Sequence, residues 1–140
     1  ALLAPAFTNR NRLILLTPFL SGLVPRVRGD WRESDESDPR AVELAREYSS
    51  YNYTRMAAEL LKIQRAGRRT LPDLTAKTLV VVSAADPAVP PSVTRLIESR
   101  SSAARFESVT VERSNHQLAQ DADRETVVEA VVGWFAGGAD

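Results

Sequence analysis

The segment Thr78-Leu-Val-Val-Val-Ser83 restricts the possible folds more than any other part of this chain. It is continuously apolar at its centre, and its Val and Thr residues are stiff at χ1 and favour extended backbone. A half-buried strand alternates apolar with polar residues. A strand without alternation is covered on both faces, as in a parallel sheet flanked by helices. The downstream sequence supplies the rest of such a unit. A loop from Ala84 to Pro91 carries three prolines. Ser92 to Ser101 places Val93, Leu96 and Ile97 at helical spacing, and Phe106 to Val111 reads as a second strand. After a loop from Ser114 to Gln120, a helix is predicted from Asp123 or Arg124 to Phe135. Val127, Val131 and Trp134 form one stripe on it, with Val128, Val132 and Phe135 beside them. This is a βαβα order, and its crossovers are long enough to lay the two strands parallel.

The upstream half is less regular. The chain opens in the apolar run Ala1 to Phe7, and its single methionine is Met56, so its first residues read as the middle of a larger fold. That run predicts a buried strand entering a turn at Pro5. Arg12 to Thr17 is apolar and stopped by Pro18, with strand and buried helix both open. Ser21 to Pro39 reads as a loop or the start of an inserted cap. Asp38-Pro39 predicts a helix over Arg40 to Ser49. A second helix fits Thr54 to Gln64, with Met56, Leu60 and Ile63 on one stripe and Gly67 ending it. The expected organisation is therefore residues 1–20 as a strand and entry to a cap, 21–70 as a helical cap, and 71–140 as the βαβα unit.

Composition narrows the function. Lys+Arg and Asp+Glu number 18 each, so nothing in the net charge favours nucleic acid or an anionic membrane. No apolar stretch is long enough to suggest a membrane span. There is no cysteine, which removes disulfides and thiolate metal sites, and no ligand cluster implies a metal or other cofactor. A reducing cytoplasm is the default compartment.

In open α/β sheets, reactive groups gather beyond the carboxyl ends of the strands. Two residues there have matching chemistry. Asp86 lies three residues past the first strand, and His116, the only histidine, five past the second. A carboxylate beside an imidazole fixes the ring's tautomer and stabilises the imidazolium formed when the ring accepts a proton. Taken singly, Asp86 reads better as the start of an Asx-turn before Pro87, and His116 as an ordinary solvated or hydrogen-bonded loop histidine.

Together, Leu71-Pro72-Asp73-Leu74, the stretch Leu79 to Pro91 containing Asp86-Pro-Ala-Val-Pro-Pro91, then Ser114-Asn115-His116 and Asp121-Ala-Asp-Arg-Glu125 resemble the C-terminal half of α/β-hydrolases. The likeness is to bacterial carboxylesterases and monoacylglycerol lipases, and it is strong from about Leu71 to Phe135. Lys77, where many relatives carry proline, and Gln117, where an apolar residue usually follows the histidine, depart from the pattern. The resemblance implies an α/β fold: the C-terminal part of an α/β-hydrolase parallel sheet with a helical cap insertion. It implies a carboxylic ester hydrolase using a Ser-His-Asp triad, with Asp86 as the acid and His116 as the base. It also implies a small acyl ester substrate, with Val89, Tyr53, Met56 and Gln117 as weaker candidates for binding it.

No Gly-x-Ser-x-Gly occurs in the 140 residues. The nucleophile and oxyanion hole are therefore expected from an upstream N-terminal half of the same hydrolase, and this chain alone is expected to be inactive. Other α/β-hydrolase chemistry, such as acyl transfer or carbon–carbon hydrolysis, and a non-catalytic fragment or assembly partner remain as alternatives.

Several residues invite sharper readings that simpler ones outweigh. Ser21 follows no strand-to-helix elbow. The cluster Asp30, Glu33, Asp35, Glu36 and Asp38 lacks the spacing of a calcium loop and reads as solvated. Arg65, Arg68 and Arg69 suit a helix C-terminus, while Asp121 and Asp123 suit a helix N-terminus. Trp31, Tyr48, Tyr51, Tyr53 and Met56 fit cap packing as well as an acyl pocket.

Overall fold

The structure, a computed structural model, describes residues 1–29, 43, 46 and 50–137. The acidic cluster, Trp31, Tyr48, Gly138 and all of the expected 40–49 helix except Glu43 and Arg46 lie outside the described residues. The chain divides into two compact units, Ala1–Arg10 with Gly67–Asp140, and Asn11–Ala66.

The first unit is built on β4 (Thr78–Ser83), with β1 (Leu2–Leu3) on one side and β5 (Phe106–Val111) on the other, all parallel. Every residue of β4 is buried, as its unbroken apolar sequence requires. Its side chains alternate between two cores. Leu79 and Val81 join Ala4, Val111, Leu118 and Val127. Val80 and Val82 join Leu71, Val89, Val93 and Ile97. Each buried Val, Leu or Ile side chain among them contributes roughly 1.5–3 kcal/mol. Thus the strand is sandwiched between the helix over Val93–Glu98 on one face and that over Arg124–Ala136 on the other. On the latter, the predicted Val127, Val131 and Trp134 stripe packs on the core, whereas Val128, Val132 and Phe135 are exposed.

At the end of β1, Ala4 has φ 41°, the left-handed region that a side chain disfavours, while its N–H donates to the Val81 carbonyl at 2.8 Å. Six register pairs join β4 to β5, from Thr78–Phe106 to Ser83–Val111. Because these strands are parallel, the loops after Ser83 and after Val111 leave the sheet at the same edge.

The second unit differs from its sequence reading. Arg12–Leu16 is a 3₁₀ helix, started by Asn11, whose side chain accepts the Leu13 N–H at 2.9 Å. It continues into α1 (Thr17–Leu20), with Pro18 in the first turn, where a missing N–H costs nothing. Pro18 therefore does not stop the segment. Ser21 caps that helix through its backbone. Two short strands absent from the sequence reading, β2 (Arg26–Arg28) and β3 (Tyr51–Tyr53), pair antiparallel. All of their residues are exposed, and at three residues each, Arg-Val-Arg and Tyr-Asn-Tyr are too short for their alternation to mark them.

The next helix, α2 (Thr54–Thr70), is longer than the expected Thr54–Gln64 and runs through Gly67. Gly67 does not end it. The residue sits at a close approach: a Cβ there would lie 3.0 Å from Phe7 Cε1, so the ring would have to give by a few tenths of an ångström. The buried positions on α2 are Thr54, Ala58 and Gln64, whereas the expected apolar stripe of Met56, Leu60 and Ile63 is exposed. The Thr54 hydroxyl donates to the carbonyls of Val24 and Pro25. Arg68 donates to the Phe7 carbonyl at 2.6 Å, a more specific role than complementing a helix end.

Candidate active site

The two loops at the carboxyl edge of β4 and β5 bring Asp86 and His116 together. His116 Nδ1 lies 2.9 Å from Asp86 Oδ2. A carboxylate only accepts, so Nδ1 carries the proton in this pair. Asp86 is 1% exposed and the His116 side chain 47%. The acid is thus sealed in while the ring opens outward.

The acid uses its two oxygens separately. Oδ1 accepts the N–H groups of Ala88 at 2.7 Å and Val89 at 3.0 Å, across Pro87, which has no N–H to offer. The Asx-turn expected of an isolated aspartate is therefore present, and it leaves Oδ2 aimed at the imidazole. Arg10 holds this loop from outside: its guanidinium donates to the Ala84 carbonyl at 2.9 Å, and its N–H to that of Ala88 at 2.8 Å.

The electrostatics follow from these contacts. Burial alone would push the Asp86 carboxyl up. The hydrogen bond from His116, those from Val89 and Ala88, and the imidazolium charge outweigh it and hold the carboxyl below its ordinary value. For His116, the hydrogen bond to Asp86 raises the ring above its ordinary value of 6.5; burial opposes this and the aspartate charge adds to it.

The loop that carries His116 is anchored by two aspartates that the sequence reading assigned to the helix dipole. Asp123 occupies the N-cap position of α4 (Arg124–Ala136; α3 is Val93–Glu98), but its side chain makes no cap bond. Instead its Oδ2 accepts the N–H groups of Arg113 at 2.8 Å and Ser114 at 2.9 Å, and Oδ1 accepts Arg113 Nε at 3.0 Å. Burial would raise this carboxyl; the bonds from Arg113 and Ser114 lower it overall. Asp121 Oδ2 accepts the Asn115 N–H at 2.6 Å. Sequence alone does not reveal this clamp, because loop backbone is a better local partner than the helix end and only the fold brings the two near.

The weaker candidates belong to both units. Val89 is 1% exposed, with its side chain in the core and its N–H on Asp86. Gln117 is exposed next to His116. Tyr53 and Met56 belong to the second unit and are 53% and 68% exposed. Among the described residues, no group of three or more His, Asp or Glu is placed to hold a metal ion. Nor is any described helix long and apolar enough to cross a membrane.

Compared by sequence, the chain matches no family model and none of the curated proteins. Compared by structure, it is similar to a metagenome-derived lipolytic enzyme from a study of LipS and LipT. That match has a TM-score of 0.74, 17% identity, and covers 96% of this chain and 53% of the other. The chain carries an α/β-hydrolase fold. The monoacylglycerol lipase of Paleococcus ferrophilus matches with TM-score 0.67 and 16% identity, over 96% of this chain and 57% of the lipase. A soluble variant of Saccharomyces cerevisiae monoglyceride lipase, in complex with a substrate analog, gives 0.68 and 13%, over 96% and 54%. The chain therefore spans about half the length of the α/β-hydrolases it matches.

Proposed function

We propose that this chain contributes the acid and base of a serine-type carboxylic ester hydrolase, of the esterase or monoacylglycerol lipase kind. The observation that carries the reading is the 2.9 Å pairing of His116 Nδ1 with a buried Asp86 at the carboxyl edge of a parallel sheet. Lipolytic enzymes among the similar structures support it.

With Nδ1 bound to Asp86, the other ring nitrogen, Nε2, is the basic atom. It takes the proton from a serine hydroxyl as that oxygen attacks the ester carbonyl. The tetrahedral species collapses, and the imidazolium returns the proton to the departing alkoxide, releasing the alcohol and leaving an acyl-serine. Water then repeats the sequence through the same nitrogen, releasing the acid and regenerating serine. Asp86 stays ionised throughout and stabilises the imidazolium.

Serine and oxyanion hole come from an upstream half of the hydrolase, which is the partner this reading requires. The exposed Tyr53, Met56 and Gln117 are proposed substrate contacts, and Val89 contributes through its N–H on Asp86. An acyl ester of a small alcohol, such as a monoacylglycerol, is the proposed substrate.

The test is hydrolysis of a short p-nitrophenyl ester by this chain and by the chain joined to a preceding half bearing Gly-x-Ser-x-Gly. The isolated chain is expected to give no turnover above solvent. The joined form is expected to be active, and to lose on the order of 10⁴ in kcat on His116→Ala. Turnover by the isolated chain, or a joined form indifferent to His116→Ala, contradicts the assignment.

A further inference from the structure

The acid and base loops are joined by a buried polar bond that precedes the Asp86–His116 pair. The last backbone rung between them is the Ala84 N–H to the Val111 carbonyl, at 2.8 Å. Beyond it the two chains follow separate paths, yet the Ser83 hydroxyl donates to the Ser114 carbonyl. Both residues are 0% exposed. The same Ser83 oxygen accepts the Ala85 N–H at 3.1 Å. One hydroxyl therefore grips the acid loop just before Asp86 and the base loop two residues before His116. Its partner is firmly held. The Ser114 N–H donates to Asp123 at 2.9 Å, its hydroxyl oxygen accepts the Asp123 N–H at 2.8 Å, and the next N–H, of Asn115, is fixed by Asp121.

We propose that Ser83 is a positioning residue whose buried hydroxyl sets the spacing of the two loops and so holds the His116 ring on the Asp86 carboxylate. The inference rests on reading Asp86 and His116 as an acid–base pair. The physical argument concerns what replaces the bond. Without the hydroxyl, the Ser114 carbonyl, on a residue 0% exposed, loses its partner in a site closed to water, and such a group is costly to leave unmade, whereas Ala85 is exposed and its N–H can turn to water. The cheapest relief is for the loops to part and admit water. The Asp86–His116 contact is the next link along the same seam, with its ring half exposed, and so it loosens first.

The chain has one histidine, so its ring protons give a titration curve free of overlap. The experiment titrates His116 by NMR in the full 140-residue chain as wild type, Asp86→Asn, Ser83→Ala and Ser83→Cys, with the Val80 and Val81 methyl signals reporting an intact sheet. Asp86→Asn is expected to lower the midpoint, because it removes the partner that raises it. Ser83→Ala is expected to move it the same way by a smaller amount. Ser83→Cys, whose thiol is a weak donor of similar size, is expected to fall between Ser83→Ala and wild type.

A shifted Asp86→Asn with Ser83→Ala at the wild-type midpoint and the sheet intact overturns the role of Ser83 and leaves the acid–base pair standing. An unshifted Asp86→Asn removes the pair itself, and the proposal with it. Should Ser83→Ala lose the sheet signals, Ser83→Cys decides: a lowered midpoint supports the proposal, and a wild-type one overturns it.

Discussion

Replacing Asp86 by asparagine and by alanine separates what its two oxygens do. Asparagine keeps an oxygen for the Ala88 and Val89 N–H groups, at 2.7 and 3.0 Å in the wild type, and puts an NH₂ opposite His116 Nδ1. An NH₂ cannot accept, so the ring must present a bare Nδ1 and carry its proton on Nε2. That is the tautomer unable to deprotonate a hydroxyl. Above the pH at which the ring loses its charge, stability should change little, while the joined, serine-containing enzyme should lose on the order of 10⁴ in kcat. Alanine also orphans the two N–H groups. That of Val89 belongs to a residue 1% exposed and bears the full cost, whereas Ala88 is exposed and can turn to water. The expected penalty is about 2 kcal/mol. Urea unfolding of the three chains measures the first effect, and ester hydrolysis by the joined forms measures the second. Equal destabilisation by asparagine and alanine would refute the division of labour between the oxygens. Full activity in Asp86→Asn would refute the tautomer argument.

Other expectations follow from burial, packing and linkage. The His116 ring is raised above 6.5, so its pairing contributes fully to stability below that pH and fades as pH rises through the raised value. The Asp86 carboxyl is depressed, so its contribution holds above 3.8 and fades as pH falls through the lowered value. The stability difference between wild type and His116→Gln, followed by unfolding at several pH values, should shrink toward alkaline pH; growth there contradicts the pairing. Leu79→Ala, at a site 2% exposed in the core beneath Val127, should cost about 2–5 kcal/mol in urea unfolding. Val132→Ala, at 60% exposure on α4, should stay within about 0.5 kcal/mol of wild type. Gly133→Ala, with nothing within 4 Å of the added Cβ, should raise stability by about 1 kcal/mol. Gly67→Ala should gain less, since its Cβ meets the Phe7 ring at 3.0 Å; an equal gain in thermal unfolding would show that the ring moves freely.

The βαβα unit was legible because its signals are local and unopposed. The run at Thr78–Ser83 admits only a strand covered on both faces, and the Val127, Val131 and Trp134 stripe selects one face of its helix. That Asp86 and His116 meet was legible from the motifs around them and from topology, since parallel strands must deliver their following loops to one edge. The upstream part misled for a physical reason. Its apolar residues are not gathered into a buried face: Leu13, Phe19, Leu23, Met56 and Ile63 are each more than two-thirds exposed. Apolar patterning then no longer reports inside and outside, and the strands Arg26–Arg28 and Tyr51–Tyr53 are too short for their alternation to be read. The clamp by Asp121 and Asp123, and the Ser83–Ser114 bond, depend on which backbone groups the fold leaves without partners. That information is tertiary. The one trace in the sequence is a polar Ser83 closing an otherwise apolar strand.

The most direct test of the acid–base pair is the tautomer of neutral His116, read from its ring nitrogen shifts in ¹⁵N-labelled chain above the pH at which the ring loses its charge. The pairing at 2.9 Å requires the proton on Nδ1, with that tautomer lost in Asp86→Asn. A neutral ring carrying its proton on Nε2 in the wild-type chain would contradict the account, because the nitrogen meant to receive the serine proton would already be occupied.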